Sequence, residues 1–187
     1  ILAVGASQRS QLNLKGIRAV NALDFLEEFN AKKGQVELGR HVAVIGGGNT
    51  AMDTARAAKR CPGVETVSLV YRRTKRYMPA DEHELYLAME DGVQFKELLA
   101  PAQIKKGALV CNVTRLGEPD ASGRAGVVET AETVEIQADT VIAAVGEKCP
   151  ASYYEANGIN TDGKGRPMVS STLESSLKGI YIIGDGL

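Results

Sequence analysis

The sequence predicts an α/β fold in which helices cover a parallel central sheet. An antiparallel β-meander is predicted to form a crossover connection of this sheet. Two observations carry this prediction. A β-branched strand runs into three successive glycines and is followed by a helical segment and a second strand, a β-α-β unit over residues 40–71. Beyond residue 93, helical periodicity gives way to short alternating stretches separated by Gly, Pro, Asp and Ser, which is typical of antiparallel strands.

Three helices are predicted from the spacing of apolar residues. Residues 21–33 form an amphipathic segment, and Gly34 follows where a helix would end. Residues 49–60 carry small side chains on one face, which lets a helix lie close to a sheet. Residues 79–91 begin with Pro79 and several carboxylates, which suit the positive end of a helix dipole.

The predicted strands are short and mostly end at a glycine or another turn residue. Because apolar residues dominate 40–45, 65–71 and 139–145, we expect these three to be buried in the central sheet. The remaining predicted strands are residues 93–95, 108–115, 127–129, 133–136, 167–169 and 180–183.

Composition excludes several classes of protein. Among the 187 residues, 44% are hydrophobic and 24% are charged, which is typical of a folded globular domain. A net charge of -1 gives no general attraction for nucleic acid or for an anionic membrane. The three cysteines lack a C-x-x-C spacing and the two histidines lack partners at ligand spacing, so we expect no metal site. Without a membrane-length apolar run, the expected location is the cytoplasm.

The glycine-rich turn predicts a dinucleotide site. Gly46, Gly48 and Ala51 fit the pattern G-x-G-x-x-A between a strand and a helix, the context that gives this short pattern its meaning. The glycines let the backbone approach a pyrophosphate, and the helix N-terminus attracts its negative charge. The alternative is that the turn serves only the packing of strand against helix.

The end of the second predicted strand indicates which dinucleotide would bind. A carboxylate there would bond a ribose hydroxyl of NAD or FAD, but the chain instead carries Arg72, Arg73, Lys75 and Arg76. An arginine can hold a phosphate through two hydrogen bonds, and a 2′-phosphate distinguishes NADPH from NADH. The sequence therefore favours NADPH over NADH, and disfavours FAD at this turn. A basic loop that only faces water is the alternative.

Residues 42–53 and 70–73, with 78–80 and 91–93, resemble the NADPH-binding domain of glutamate synthase small-subunit-like flavoproteins. Similar proteins include dihydropyrimidine dehydrogenase and iron–sulfur selenate reductases. The resemblance implies a Rossmann-like three-layer NAD(P)-binding fold and an NAD(P)H-dependent flavoprotein oxidoreductase, in which hydride passes from NADPH to FAD and electrons continue to iron–sulfur clusters. The implied partners are the FAD domain and the iron–sulfur domain of the same parent chain.

The resemblance also implies which residues bind the coenzyme. Residues 48–51 would cradle the pyrophosphate, the three arginines would contact the adenosine 2′-phosphate, and residues 144–146 would pass near the nicotinamide, although a valine replaces the commoner threonine there. No side chain is expected to act as a catalytic acid, base or nucleophile. The expected cofactor-binding residues are Gly46, Gly48, Asn49, Thr50, Ala51, Arg72, Arg73, Arg76, Ala144, Val145, Gly146, Gly184 and Asp185.

In the family that the chain resembles, the nicotinamide domain is inserted into an FAD domain. Residues 1–6 resemble the strand by which the chain leaves that domain, and residues 180–187 resemble its return. We therefore expect residues 1–187 to form one NAD(P)H-binding domain excised from a larger flavoprotein, inactive alone, with neighbouring ends. FAD of the parent would be contacted at most by Gly5, Gly184 and Asp185.

Two other functions remain open from the sequence. The chain could be a non-catalytic module that uses a dinucleotide, or only its fold, to dock on a partner. A weaker alternative is a flavin-binding domain, which would be isolated with bound FAD.

Overall fold

The computed structural model of the chain describes residues 1–6, 8–119 and 123–187. These residues form two compact units: one comprises Ile1–Ser10 with Gly146–Leu187, and the other comprises Gln11–Val145. That residues 1–187 form one NAD(P)H-binding domain, joined to an FAD domain through residues 1–6 and 180–187, stays a prediction.

Three two-residue strands precede the first helix, helices and strands then alternate as far as residue 97, and only strands follow up to residue 148. The helices are α1 (Ala22–Ala31), α2 (Asn49–Lys59), α3 (Glu82–Glu90) and α4 (Ala151–Ala156), with short 3-10 helices at Lys75–Tyr77 and Gly184–Gly186. The strands are β1 (Gln8–Arg9), β2 (Lys15–Gly16), β3 (Val20–Asn21), β4 (His41–Ile45), β5 (Thr66–Tyr71), β6 (Gln94–Glu97), β7 (Leu99–Lys105), β8 (Ala108–Pro119), β9 (Ala125–Gln137), β10 (Thr140–Ala143) and β11 (Glu147–Lys148).

The larger unit, residues 11–145, is built in three layers. Its central sheet is parallel, with strand order β3-β10-β4-β5-β6. Val42 and Val44 of β4 pack in the core formed with the helices, whereas Ala43 and Ile45 pack in a second core formed with the meander. Both faces of the strand are therefore buried, which explains why its sequence is a continuous apolar run.

The helices of the larger unit lie where the periodicity predicts, with ends that differ by one to three residues. The Asn21 side chain caps α1 by accepting from the Leu23 N–H at 2.9 Å. Helix α3 begins at Glu82 and not at Pro79, because the Asp81 side chain caps it by accepting from the His83 N–H at 2.8 Å. None of the helices in the described ranges has the length and apolar character needed to span a membrane.

The antiparallel layer consists of β7, β8 and β9, and β2 joins it by pairing parallel with β7, which gives the strand order β2-β7-β8-β9. This layer differs from the sequence prediction in two ways. The two strands predicted over 127–129 and 133–136 are one long strand, β9, whose pairing with β8 shifts register twice. Strand β7 is absent from the prediction because it contains Pro101 and few β-branched residues; its register with β8 shifts between Pro101 and Gln103.

The smaller unit, residues 1–10 and 146–187, has its own core of Tyr154, Ile159 and Ile182. Leu2 forms a parallel bridge with Ile182, so the two terminal segments lie side by side. Residues 167–169 and 180–183 were expected to be strands but form only isolated bridges. Strands β1 and β11 pair antiparallel, and beside them the Ser10 N–H donates to the Gly146 carbonyl oxygen at 3.1 Å.

Candidate functional site

The turn between β4 and α2 requires its first two glycines for close packing. A Cβ added to Gly46 would lie 2.9 Å from the Cβ of Ala51 and would also collide with the carbonyl oxygen of Ala144. A Cβ at Gly47 would meet the ring of Tyr71, with Cδ2 at 2.7 Å. These two positions are filled by protein, so their glycines bring strand, helix and turn together.

The third glycine of the turn faces open space. A Cβ at Gly48 would have no atom of the other described residues within 4 Å, its two chain neighbours aside. Gly48 is also the N-cap of α2, where no side chain caps the helix and the first turn carries no acidic residue. Within residues 1–6, 8–119 and 123–187, the backbone N–H groups of Asn49 and Thr50 have no hydrogen-bond acceptor. The positive end of the helix is therefore open to an anion.

The side chain of Asn49 is already engaged with a neighbouring segment. Its Oδ1 accepts from the Asp81 N–H at 3.0 Å, and the Ala80 N–H donates to the Gly47 carbonyl oxygen at 3.0 Å. These two bonds fasten the start of α3 beside the glycine turn. Asn49 thus offers an anion its backbone N–H while its amide oxygen is used for structure.

An ion pair holds α2 and α3 together farther along. Arg56 Nε donates to Asp91 Oδ2 at 2.8 Å, and the Arg56 side chain is only 22% exposed. The Arg56 guanidinium lowers the pKa of the Asp91 carboxyl by bonding its charged form. Both helices that border the glycine turn are therefore fixed to one another.

The three expected phosphate-binding arginines have different surroundings. Arg72 and Arg76 are exposed, on the loop that follows β5. Arg73 is only 9% exposed, and its Nε donates to the Ala125 carbonyl oxygen at 2.7 Å. The structure thus leaves two guanidinium groups open to a ligand and gives the third a partner in β9.

A surface cavity of about 410 Å³ adjoins this basic loop. It lies next to the residues that Gly47 and Asn49 bind, so the glycine turn, the cavity and the exposed arginine Arg76 are neighbours. The residues that line the cavity are Lys75, Arg76, Met78, Ala80, Asp81, Glu82 and Leu85.

Two residues near the site were missed by sequence reasoning. Tyr71, at the end of β5, donates its hydroxyl to the Tyr77 carbonyl oxygen at 2.7 Å. Arg124 Nη2 lies 3.1 Å from the Tyr71 hydroxyl and 3.1 Å from the Tyr77 carbonyl oxygen. Arg124 belongs to the connection between β8 and β9, some 50 residues from the loop it contacts. No local pattern in the sequence could have linked them.

The remaining expected residues lie in separate places. Ala144 donates its N–H to the Ile45 carbonyl oxygen at 2.8 Å, and the exposed Val145 is the last residue of the larger unit. Gly146, Gly184 and Asp185 belong to the smaller unit, where Gly184 begins a 3-10 helix and the Asp185 side chain is exposed. The roles of these five residues toward a coenzyme stay predictions.

The family model described as pyridine nucleotide-disulphide oxidoreductase matches residues 1–187. The chain belongs to this family. Among the relatives in the family, the protein of Escherichia coli (strain K12) that carries the name oxidoreductase YgfK is 42% identical over 188 residues, which cover 99% of this chain and 18% of that protein.

Glutamate synthase (NADPH) small chain of Azospirillum brasilense is 36% identical over 157 residues, covering 79% of this chain and 32% of that one. The resemblance to glutamate synthase small-subunit-like flavoproteins is thereby confirmed. The chain spans less than a third of the length of either relative.

A solved structure gives the same fold. Mycobacterium tuberculosis FprA in complex with NADPH superposes with a TM-score of 0.72 at 21% identity, and the match covers 97% of this chain and 56% of FprA. The Rossmann-like α/β fold class predicted from the sequence is confirmed by this likeness and by the parallel sheet.

Proposed function

We propose that the larger unit binds NADPH, as the nicotinamide-coenzyme domain of a longer flavin-dependent oxidoreductase. One observation carries this proposal: the open N-terminus of α2, next to Gly48, adjoins a loop with exposed arginines. These arginines stand at the position where an acidic residue would favour NADH. The pyrophosphate would bind the N–H groups of Asn49 and Thr50, with Gly46 and Ala51 keeping the turn tight.

Arg72 and Arg76 would hold the adenosine 2′-phosphate. Both side chains are exposed, and a charge-assisted hydrogen bond to phosphate contributes about 1.5–3 kcal/mol. Arg73, whose Nε is bonded to Ala125, would support the loop and not contact the phosphate through that atom. The names of similar proteins agree with NADPH, since FprA binds it and the Azospirillum relative is a glutamate synthase (NADPH) small chain.

The chemistry of the parent protein follows from the nature of the coenzyme. NADPH, when bound, supplies a hydride from its nicotinamide ring to an acceptor such as FAD. The residues of this chain would bind and orient the coenzyme, with Ala144 and Val145 beside its nicotinamide half, and no side chain needs to transfer a proton. Gly146, by contrast, belongs to the smaller unit.

We also propose the setting in which this domain works. The longer parent would carry an FAD domain, to which Gly5, Gly184 and Asp185 of the smaller unit contribute, and an iron–sulfur domain that receives the electrons. This chain covers less than a third of the length of each relative, which supports a longer parent protein. We propose the cytoplasm as its location.

Titration of the chain with NADPH, NADH and FAD tests the coenzyme assignment. We expect NADPH to bind at least about tenfold more tightly than NADH, because the arginine contacts add more than about 1.4 kcal/mol. Arg76→Gln should reduce the NADPH affinity about tenfold and leave NADH unchanged. Arg18→Gln is the matched control, because Arg18 is exposed and precedes β3, away from the carboxyl ends of the strands.

Two results of this titration would overturn the proposal. If neither nicotinamide coenzyme binds, the chain is a docking module that uses only its fold. If FAD binds and NADPH does not, the glycine turn serves a flavin.

A further inference from the structure

Two arginines from opposite sides join the basic loop to the meander. Arg73, on the loop, donates from Nε to the Ala125 carbonyl oxygen at 2.7 Å. Arg124, beside Ala125 in the chain, donates from Nη2 to the Tyr77 carbonyl oxygen at 3.1 Å, at the far end of the loop. Each segment thus donates a guanidinium to a backbone carbonyl of the other. We call this pair of bonds the arginine clasp.

Further hydrogen bonds fix the backbone at the Arg73 end of the clasp. Thr114 of β8, which is only 3% exposed, donates its hydroxyl to the Arg72 carbonyl oxygen at 2.9 Å. The Leu98 N–H donates to the Arg73 carbonyl oxygen at 3.2 Å. The backbone of the loop is therefore held by the antiparallel layer, while the side chains of Arg72 and Arg76 are left exposed.

Tyr71 connects the clasp to the glycine turn. Its ring packs against Gly47, and its hydroxyl donates to Tyr77 while standing 3.1 Å from Arg124 Nη2. The distance between the open helix N-terminus and the basic loop is thus set by one aromatic side chain and the guanidinium that holds it. Fixing that distance before binding lowers the entropic cost of recognising two phosphate groups on one coenzyme.

We propose that the arginine clasp makes the β8–β9 hairpin a specificity-determining element, with Arg124 as the positioning residue that prepares the loop for a coenzyme bearing a 2′-phosphate. The inference rests on the proposed NADPH binding and deepens it. Arg124 acts through Tyr71 and Tyr77 and not as a ligand of the phosphate. A coenzyme without the 2′-phosphate depends on the glycine turn alone, so it gains nothing from the clasp.

The test measures the Kd of NADPH and of NADH for the full chain and for Arg124→Met, which keeps the aliphatic stem and removes the donors. We expect the NADPH affinity to fall about tenfold while the NADH affinity changes less than about twofold. Arg115→Met is the matched control: Arg115 is exposed on β8, next to Thr114 but on the other face of the strand, and its replacement should leave both affinities unchanged.

Two further measurements separate positioning from charge. Arg124→Lys restores the charge but not the forked geometry, so a positioning role predicts that NADPH affinity stays low. The dependence of NADPH affinity on salt concentration should keep its wild-type slope in Arg124→Met and become shallower in Arg76→Gln, where a phosphate ligand is lost. Full recovery in Arg124→Lys, or a shallower slope in Arg124→Met, would overturn the positioning role.

A second variant covers the case in which Arg124→Met fails to fold. Tyr71→Phe removes only the hydroxyl that links Arg124 and Tyr77, and we expect the preference for NADPH over NADH to fall about threefold. An equal loss for both coenzymes, or an unchanged preference in a folded variant, overturns the clasp while leaving NADPH binding by the wild-type chain intact. Failure of the wild-type chain to bind either coenzyme would instead overturn the proposed function.

Discussion

The ring of Tyr71 lies against the α-carbon of Gly47, and its Cδ2 occupies a position only 2.7 Å from where a Cβ at residue 47 would be. The hydroxyl of the same tyrosine donates to the Tyr77 carbonyl oxygen. The Tyr71 side chain therefore contacts the glycine turn through its ring and the end of the basic loop through its hydroxyl. Substitutions in the turn should separate its packing role from its binding role.

Gly47→Ala should lower the stability of the protein, whereas Gly48→Ala should weaken coenzyme binding. Gly47→Ala forces the Tyr71 ring to move, so we expect the free energy of unfolding to fall by about 1–3 kcal/mol. Gly48→Ala places its methyl group in open space, so stability should stay within about 1 kcal/mol of wild type. Because that space would hold the pyrophosphate, both NADPH and NADH should bind about tenfold more weakly to Gly48→Ala. Urea unfolding and coenzyme titration measure the two effects; unchanged binding by Gly48→Ala would contradict the pyrophosphate assignment.

Two substitutions at Asn49 distinguish its side-chain oxygen from its backbone N–H. Asn49→Ala removes the acceptor for the Asp81 N–H and should cost about 1 kcal/mol of stability. Asn49→Asp keeps an acceptor, and a carboxylate at a helix N-terminus stabilises the helix by about 0.3–1 kcal/mol. That carboxylate would repel a pyrophosphate, so the aspartate variant should be stable and bind both coenzymes poorly. Thermal unfolding and titration check this pair; wild-type affinity in Asn49→Asp would count against an anion at α2.

The Asp139 carboxylate should make stability depend on acid pH. It accepts the His41 N–H at 2.9 Å and the Arg40 N–H at 2.8 Å, and these bonds hold its pKa below the ordinary value. Its stabilising contribution is complete above the pKa of the unfolded chain and is lost as pH falls through the lower pKa of the folded state. Asp139→Asn should therefore destabilise the protein at pH 7 more than at pH 3, as measured by urea unfolding at both pH values. The control variant is Asp53→Asn, at an exposed position on α2. If Asp139→Asn destabilises the protein equally at both pH values, the prediction is contradicted.

The three cysteines should react with thiol reagents at different rates. Burial raises the pKa of Cys111 to about 12 and also raises the pKa of Cys61, whereas Cys149 is only half-buried. Since the thiolate is the reactive form, native protein should be alkylated first at Cys149, with Cys111 protected until denaturant is added. Peptide mass spectrometry after timed iodoacetamide treatment measures each site. The Cys149→Ser variant should lose the early modification, and rapid labelling of Cys111 in native protein would disprove its burial.

The β-α-β unit could be predicted from the sequence because its determinants are local. The apolar run that ends in Gly46, and the small face of the following helix, gave boundaries for β4 and α2 that differ from the structure by one residue at one end of each. Strand β7 could not be predicted in this way, because its stability comes from pairing with β8 and β2 and not from its own residues.

The candidate site shows the same division between local and distant determinants. The G-x-G-x-x-A pattern predicted an open helix N-terminus, because the geometry of such a turn is set by adjacent residues. The surroundings of Arg73 and Arg124 could not be predicted, because their bonds join segments about 50 residues apart. Whether an arginine is buried or available to a ligand depends on which distant segments of the chain pack beside it in the fold.

The bond between the Ser10 N–H and the Gly146 carbonyl oxygen, beside paired β1 and β11, means that the stretch from 11 to 145 is entered and left at a single place. The entropic penalty for accommodating such an insert depends on how far apart its attachment points are, and here they are already adjacent. Residues 11–145 consequently have the form of a transplantable cassette, one that recombination or a protein engineer could graft into a surface loop of another scaffold without stretching either partner.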